Sequence, residues 1–171
     1  MKLSRRSVLL GAAAGGMAAA VLSLPAAAAG VTINVALWDK GAMSMETMGK
    51  MHGRGMGMKS QDMPMAMMGI TIDQASVPAG EVTFAVTNTS KDMIHEMVVS
   101  PIADTTTPLP YIEDEQRVDE DAAGHVGEVA ELDVGAAGAL TVTLTPGAYL
   151  LYCNIPGHYQ SGMWTVVTVT G

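Results

Sequence analysis

The sequence is poor in cysteine: one thiol, Cys153, occurs among 171 residues. A single cysteine cannot form a disulfide within the chain, so Cys153 is a buried apolar residue, an intermolecular linker, a reactive thiol or a metal ligand. Basic residues are also few, nine against 17 acidic ones, which gives a formal charge of −8. This charge argues against nucleic acid as a partner and favours basic proteins.

The N-terminal segment has the features of an export signal. A basic start precedes an apolar stretch at residues 8–24 and an Ala-x-Ala cleavage site at residues 27–29. Arg5 and Arg6 begin a pattern similar to a twin-arginine address. We expect removal of residues 1–29, which changes the formal charge from −8 to −11, and a soluble periplasmic protein without a stable membrane span. Retention of the segment as a membrane anchor is the alternative.

Short runs rich in Val and Thr follow the signal, and many alternate with a period of two. They predict eight strands, at residues 31–38, 69–73, 81–88, 94–100, 128–134, 139–145, 148–153 and 163–170. Gly and Pro turn signals separate several of the strands, and no long amphipathic helix pattern is present. The pattern predicts an all-β fold, an antiparallel β-sandwich of the Greek-key type, formed as one domain by residues 30–171.

Two insertions interrupt the strand pattern. Residues 39–68 contain ten of the 15 methionines, and residues 101–127 contain the acidic run 113–121. Neither has a steady period, so we interpret both as loops or partly ordered excursions with at most a short helical turn. Thioethers select Cu(I), so the Met-rich insertion is either a second copper site or loading arm, or else a lid or docking surface.

The loop that contains Cys153 also contains His158 and Met163, in a Cys-x4-His-x4-Met spacing. A Pro-Gly turn within this loop can direct the three side chains toward one point. Two histidines and a cysteine, with a weak axial methionine, form a blue-copper electron-transfer site. The second histidine must come from another strand, and His95 is the candidate. These residues therefore predict one type 1 copper ion that alternates between Cu(I) and Cu(II).

The ending PGAYLLYCNIPGHYQSGMW, the upstream His95 and the eight-strand pattern resemble the cupredoxin family. The loop spacing is most similar to that of rusticyanin and sulfocyanin, and the resemblance extends over residues 30–171. It implies a type 1 copper site with His95, Cys153, His158 and Met163 as ligands. It also implies that His158 lies near the surface and provides the exit for the electron.

The sequence argues against several related functions. A dinuclear copper centre needs two cysteines, and a multicopper oxidase needs several His-x-His pairs, which are absent. Zinc is a poor match because a thioether is a poor zinc ligand. We therefore expect an electron carrier and not an enzyme. The alternatives are a copper-handling protein that uses its methionines for chaperoning, sequestration or resistance, and an interaction sandwich without metal.

Residues around the predicted ligands suggest further roles. The acidic run predicts a basic redox partner, such as a c-type cytochrome or a terminal oxidase or reductase, for a monomeric carrier. Alternation points Glu96 away from His95, so we expect it at the surface or beside the site and not as a ligand. We expect His125 to be a solvated loop residue. The resemblance to cupredoxins also implies that residues 88–90 hydrogen-bond the copper loop, residues 154–163. Other candidates for tuning the metal are Met93, Met97, Asn154, Ile155, Pro156 and Trp164.

Overall fold

The computed structural model describes residues 30–41, 53–58 and 66–171. The predicted export signal and most of the Met-rich insertion lie outside these ranges. The strands are β1 (Val31–Asp39), β2 (Met68–Ile72), β3 (Ser76–Pro78), β4 (Gly80–Asn88), β5 (His95–Ile102), β6 (Tyr111–Ile112), β7 (Arg117–Val118), β8 (Gly127–Leu132), β9 (Ala137–Leu144), β10 (Gly147–Tyr152) and β11 (Trp164–Thr170). The helix is α1 (Glu120–Ala123).

Two sheets pack face to face. The first has the strand order β2-β1-β4-β9, and the second has the order β3-β11-β10-β5-β8. Most neighbouring strands are antiparallel, but β1 pairs in parallel with β4 and β3 in parallel with β11. The predicted all-β Greek-key sandwich is confirmed, with these two parallel pairs in addition.

Alternating side chains fill the space between the sheets. On β1, Ile33 and Leu37 are fully buried, and Phe84 on β4 packs in the same cluster. Met97 on β5 and Leu151 on β10 enter this core from the second sheet. The period of two seen in the sequence is therefore the alternation between the core face and the outer face.

All eight predicted strands are present, with ends that differ by two residues or fewer. The sequence did not predict β3, β6 and β7, because strands of two or three residues are too short to show a period. The acidic insertion contains β6, β7 and the four-residue helix α1. Asp119 caps α1 by accepting a hydrogen bond from the Ala122 amide at 3.0 Å.

Residues 53–58, the middle one of three described stretches of the Met-rich insertion, pack against the outer face of the second sheet. The Arg54 amide donates to the Gln160 carbonyl at 2.8 Å, and the Trp164 indole donates to the Arg54 carbonyl at 2.7 Å. Met56 is 1% exposed, in a second apolar cluster with Tyr159. This part of the insertion is thus a structural brace on the loop between β10 and β11.

We expect Met56→Ala to lower the free energy of unfolding of the copper-free protein by about 2–3 kcal/mol, because it leaves a cavity in a buried cluster. Urea unfolding followed by circular dichroism measures the change. Met58→Ala is the matched control, since Met58 is only partly buried, and should cost about 1 kcal/mol or less. Equal losses for the two variants would contradict the packing role of Met56.

Candidate metal centre

Strand pairing brings the predicted ligands to one end of the sandwich. In the β5–β10 pair, Tyr152 lies opposite Val98, so Cys153 just beyond β10 is next to the beginning of β5. That strand begins at His95. In the β10–β11 pair, Tyr152 lies opposite Trp164, and the Cys153 amide donates to the Met163 carbonyl at 3.1 Å. Residues far apart in sequence thereby meet at neighbouring strand ends.

The loop at residues 154–163 is held in a tight series of turns. The His158 amide donates to the Ile155 carbonyl at 2.9 Å, and the Met163 amide donates to the His158 carbonyl at 3.1 Å. Gly157 has a φ of 80° and Gly162 a φ of 94°, in the left-handed region that favours glycine. These turns direct His158 back toward Cys153.

The three side chains form a buried cluster. His158 Nδ1 lies 3.3 Å from Cys153 Sγ and 3.2 Å from His95 Nδ1, and Cys153 Sγ lies 3.9 Å from His95 Nδ1. The exposed fraction is 0% for His95 and Cys153 and 2% for His158. One donor atom from each residue lies within 4.8 Å of the other two.

Burial keeps all three groups neutral in the metal-free protein at neutral pH. It raises the pKa of the Cys153 thiol to about 12. It lowers the pKa of His158 to about 4, with a further contribution from the neighbouring His95. Burial also lowers the pKa of His95, against the opposing effect of Asp39. Two neutral imidazoles are ready to coordinate, while the thiol must lose its proton when a metal binds.

The donor set fits a copper ion. Metal–nitrogen and metal–sulfur bonds are about 2.0–2.3 Å long, so a single ion can reach three atoms that lie within 4.8 Å of one another. A thiolate with two imidazoles is the equatorial set of blue-copper sites. Met163, the predicted fourth ligand, is 0% exposed in the same core cluster as Cys153.

The sulfocyanin (SoxE) domain family matches residues 74–171, which is more than half of the chain. The chain belongs to the sulfocyanin family of cupredoxins. Cupredoxins bind one type 1 copper ion and carry electrons. In this family member, the potential ligand group consists of His95, Cys153 and His158.

The chain is also similar to individual known proteins. The chain is 29% identical to auracyanin-B of Chloroflexus aurantiacus over 104 residues, which is 60% of this chain and 37% of auracyanin-B. The matched stretch thus spans little more than a third of that relative. Rusticyanin from Thiobacillus ferrooxidans has a similar fold, with a TM-score of 0.51 at 18% identity over 82% of this chain and 77% of rusticyanin.

The exposure of His158 differs from the expectation for a cupredoxin loop histidine. The resemblance implied a position near the surface, but the side chain is only 2% exposed. Its neighbour Tyr159 is also buried, and the Tyr159 hydroxyl donates to the Met56 carbonyl at 3.5 Å. The loop is covered on this side because residues 53–58 pack against it, which the sequence pattern did not predict.

Residues 88–90 do not hydrogen-bond the copper loop as predicted. The Asn88 amide nitrogen donates to the Met93 and Leu132 carbonyls, both at 2.9 Å. The Ser90 hydroxyl donates to the same Met93 carbonyl at 2.6 Å. They brace the turn that leads into His95, because β4 ends at Asn88 and the chain must reverse before β5 begins. The prediction identified a supporting segment but placed it against the wrong partner.

Asn154 connects the copper loop to the acidic insertion. Its side-chain oxygen accepts from the Val118 amide at 2.7 Å, and its nitrogen donates to the Val118 carbonyl at 3.0 Å and to Glu120 Oε1 at 2.7 Å. The Gly157 amide donates to the Gln116 carbonyl at 2.9 Å. The two segments therefore form one supported surface at the end of the sandwich. His125 is an exposed loop residue, as expected.

Glu96 follows the first histidine and supports the thiol through its backbone. Its amide donates to Cys153 Sγ at 3.5 Å. The residue is only 8% exposed, and Oε1 has no hydrogen-bond partner in the part of the chain that the structure describes. Burial, together with the negative charges of Glu120 and Glu128, raises the pKa of Glu96 to about 7. Its side chain is therefore buried and not at the surface.

We expect Glu96→Gln to stabilise the copper-free protein at pH 8 by about 2 kcal/mol and to have little effect at pH 4. The folded pKa is raised from 4.5 to about 7, so the carboxyl destabilises the fold as pH rises through this range. Urea unfolding at the two pH values measures the difference. Glu113→Gln is the control, because Glu113 is exposed. An equal change at both pH values would contradict the prediction.

Asp39 is a buried carboxylate at the site and is not among the predicted site residues. Its Oδ2 lies 3.3 Å from His95 Nε2, and both side chains are 0% exposed. The sequence signal was available: the alternation that buries Ile33, Val35 and Leu37 places residue 39 on the same face of β1. An acidic residue at the next core position indicates a buried partner.

Proposed function

We propose that this protein is a periplasmic electron carrier with one type 1 copper ion. The residues that would hold the ion are His95 and His158 through Nδ1, Cys153 through its thiolate, and Met163 through its thioether. One observation carries the proposal: a thiol and two imidazoles converge within 4.8 Å in a fully buried cluster. Copper supplies single-electron chemistry, because it is stable as both Cu(I) and Cu(II) with this donor set.

The protein's own contribution is a preformed and dry site. Backbone hydrogen bonds hold the copper loop in position, so the ligands need little rearrangement when the ion binds. Because Cys153 and both histidines are almost completely covered, a substrate cannot approach the ion through these residues. This arrangement supports an electron carrier and not an enzyme.

Titration of the purified protein with Cu(II) tests this function. We expect one copper per chain, an intense thiolate charge-transfer band, and reversible loss of the band on reduction with ascorbate. Binding of several Cu(I) ions without the band would support copper handling instead. A protein that binds neither Cu(II) nor Cu(I) would support a metal-free interaction sandwich.

The acidic insertion supports a basic redox partner. Glu113, Asp114 and Glu115 are exposed, and the same segment contacts the copper loop through Gln116. We propose a basic c-type cytochrome, or a terminal oxidase or reductase, as the class of partner. Electron transfer to a basic cytochrome should slow as salt is added, since screening weakens steering. Electron-transfer rates that do not change with salt would contradict a role of the acidic surface in steering the partner.

Copper handling by the Met-rich insertion stays a second hypothesis. Met56 and Met68 are buried in apolar clusters and are not available as labile ligands. Most of the remaining methionines of the insertion lie outside the described residues. Deletion of residues 59–65 is the direct test: a loading arm requires slower copper uptake in the deleted protein with an unchanged final spectrum.

The location also belongs to the proposal. The export signal supports periplasmic placement, and mass spectrometry of the mature protein tests cleavage before Gly30. Among the residues described, no helix has the length and apolar character needed to cross a bilayer.

A further inference from the structure

Asp39 and His95 form a buried pair behind the metal cluster. Asp39 Oδ2 and His95 Nε2 are 3.3 Å apart, and no part of either side chain is exposed. The opposite ring nitrogen of His95, Nδ1, lies 3.2 Å from His158 Nδ1 and 3.9 Å from Cys153 Sγ. The imidazole therefore lies between a carboxylate on one side and the candidate ligands on the other.

The strand pairing of β1 holds the carboxylate in place. Asp39 is the last residue of β1 and pairs with Met68 on β2. Its second oxygen, Oδ1, accepts a hydrogen bond from the Gly41 amide at 2.6 Å. Both carboxylate oxygens thus have partners, and the side chain has one supported orientation.

This contact determines which nitrogen of His95 holds the proton. An ionised carboxylate only accepts hydrogen bonds, so the shared hydrogen must be on His95 Nε2. In a neutral imidazole, Nδ1 then has a free lone pair. That lone pair faces the cluster, in the form that a metal ligand needs. Carboxylates that accept from a metal-bound histidine fix its tautomer and increase its basicity.

The negative charge of Asp39 would also affect the relative stability of the two oxidation states of a bound copper ion. The oxidised site has one more positive charge than the reduced site, and an anion in a poorly screened interior stabilises the more positive state more strongly. Asp39 is separated from Nδ1 by a single imidazole ring, and no solvent reaches it.

We propose that Asp39 is a positioning residue that fixes the tautomer of His95 and lowers the reduction potential by favouring Cu(II) over Cu(I). The inference rests on the proposed function, because it requires that His95 binds copper. Asp39 is not one of the four proposed ligands. It belongs to the first sheet, so the reduction potential would depend partly on a residue of that sheet.

The first experiment compares Asp39→Asn with the wild-type protein. Asparagine has the same shape and can still accept from Nε2, but it has no charge. We expect the ratio of Cu(II) to Cu(I) affinity to fall at least about tenfold, which raises the potential by about 59 mV, with the charge-transfer band retained. The matched control is Asp73→Asn, because Asp73 is an exposed carboxylate that accepts from Asn34 and is not part of the cluster. The control should keep the wild-type ratio.

The second experiment uses the copper-free protein and heteronuclear NMR of the histidine rings. The wild-type protein should show His95 with the hydrogen on Nε2. Asp39→Asn should keep this tautomer, and Asp39→Ala should give a mixture. A wild-type His95 with the hydrogen on Nδ1 would overturn the proposal even if the variants fail to fold.

The two levels of the proposal fail in different ways. If the wild-type protein does not bind copper with a thiolate band, the proposed function is wrong. If it does, and Asp39→Asn has the same affinity ratio as Asp73→Asn, the copper site stands and the role of Asp39 is wrong.

Discussion

Replacement of Cys153 by serine is expected to abolish the visible charge-transfer band of the copper-loaded protein completely. The band requires a thiolate bound to Cu(II), and Cys153 is the one cysteine in the chain. The site would retain two imidazoles and a hydroxyl that binds copper weakly at neutral pH. We therefore also expect a loss of at least about a hundredfold in copper affinity, of the size that follows from disruption around a metal site. Absorption spectra and equilibrium dialysis measure the two effects.

Serine is suitable here because it is nearly isosteric with cysteine and can accept the hydrogen bond from the Glu96 amide. Circular dichroism should show an unchanged β-sandwich. His125→Ala is the control, since His125 is an exposed histidine away from the cluster and its loss should leave the band unchanged. A Cys153→Ser protein that retained the band would remove Cys153 from the ligand set.

Removal of copper is expected to lower the melting temperature by about 8–16 °C. A ligand at a thousand times its dissociation constant stabilises the folded state by about 4 kcal/mol, and each kcal/mol moves the melting temperature by about 2–4 °C for a domain of this size. The proposed ion joins the beginning of β5 to the loop between β10 and β11, so its contacts exist only in the folded chain. Calorimetry of the loaded and copper-free forms measures the shift.

The control for this shift is the Cys153→Ser protein at the same copper concentration. Its melting temperature should equal that of the copper-free wild-type protein. Equal melting temperatures for loaded and copper-free wild-type protein would mean that the ion does not bind the native state preferentially. A shift that persisted in Cys153→Ser would mean that copper binds elsewhere on the chain.

The strands and the core could be predicted from the sequence because their signal is local. Alternation along residues 31–38 already gives a strand with Ile33 and Leu37 on one face, and both are fully buried. The same alternation, extended from residue 38 to residue 39, places Asp39 on the core face. The Met-rich composition that follows instead favours a loop beginning at this position. The short strands β6 and β7 carry no such signal, because two residues cannot alternate.

The covering of the copper loop could not be predicted. The burial of Tyr159 depends on the packing of the second cluster, in which Met56 contacts Tyr159 across 103 positions of the sequence. An irregular loop that packs against another loop has no period and no turn pattern to identify it. The resemblance implied a position near the surface for His158, and its side chain is 2% exposed.

The donor types, and the loop that joins three of the four proposed ligands, can be recognised from the sequence alone. Cys153, His158 and Met163 are joined by one short loop, and the available turns restrict where their side chains can point. The tertiary structure then shows that His95, the candidate second histidine 58 residues before Cys153, lies with its Nδ1 3.9 Å from Cys153 Sγ. It also brought Asp39 to His95 across 56 residues and covered the loop with residues 53–58. Contacts at such separations depend on strand pairing and sheet packing. These involve the whole chain, so the pattern of one segment does not predict them.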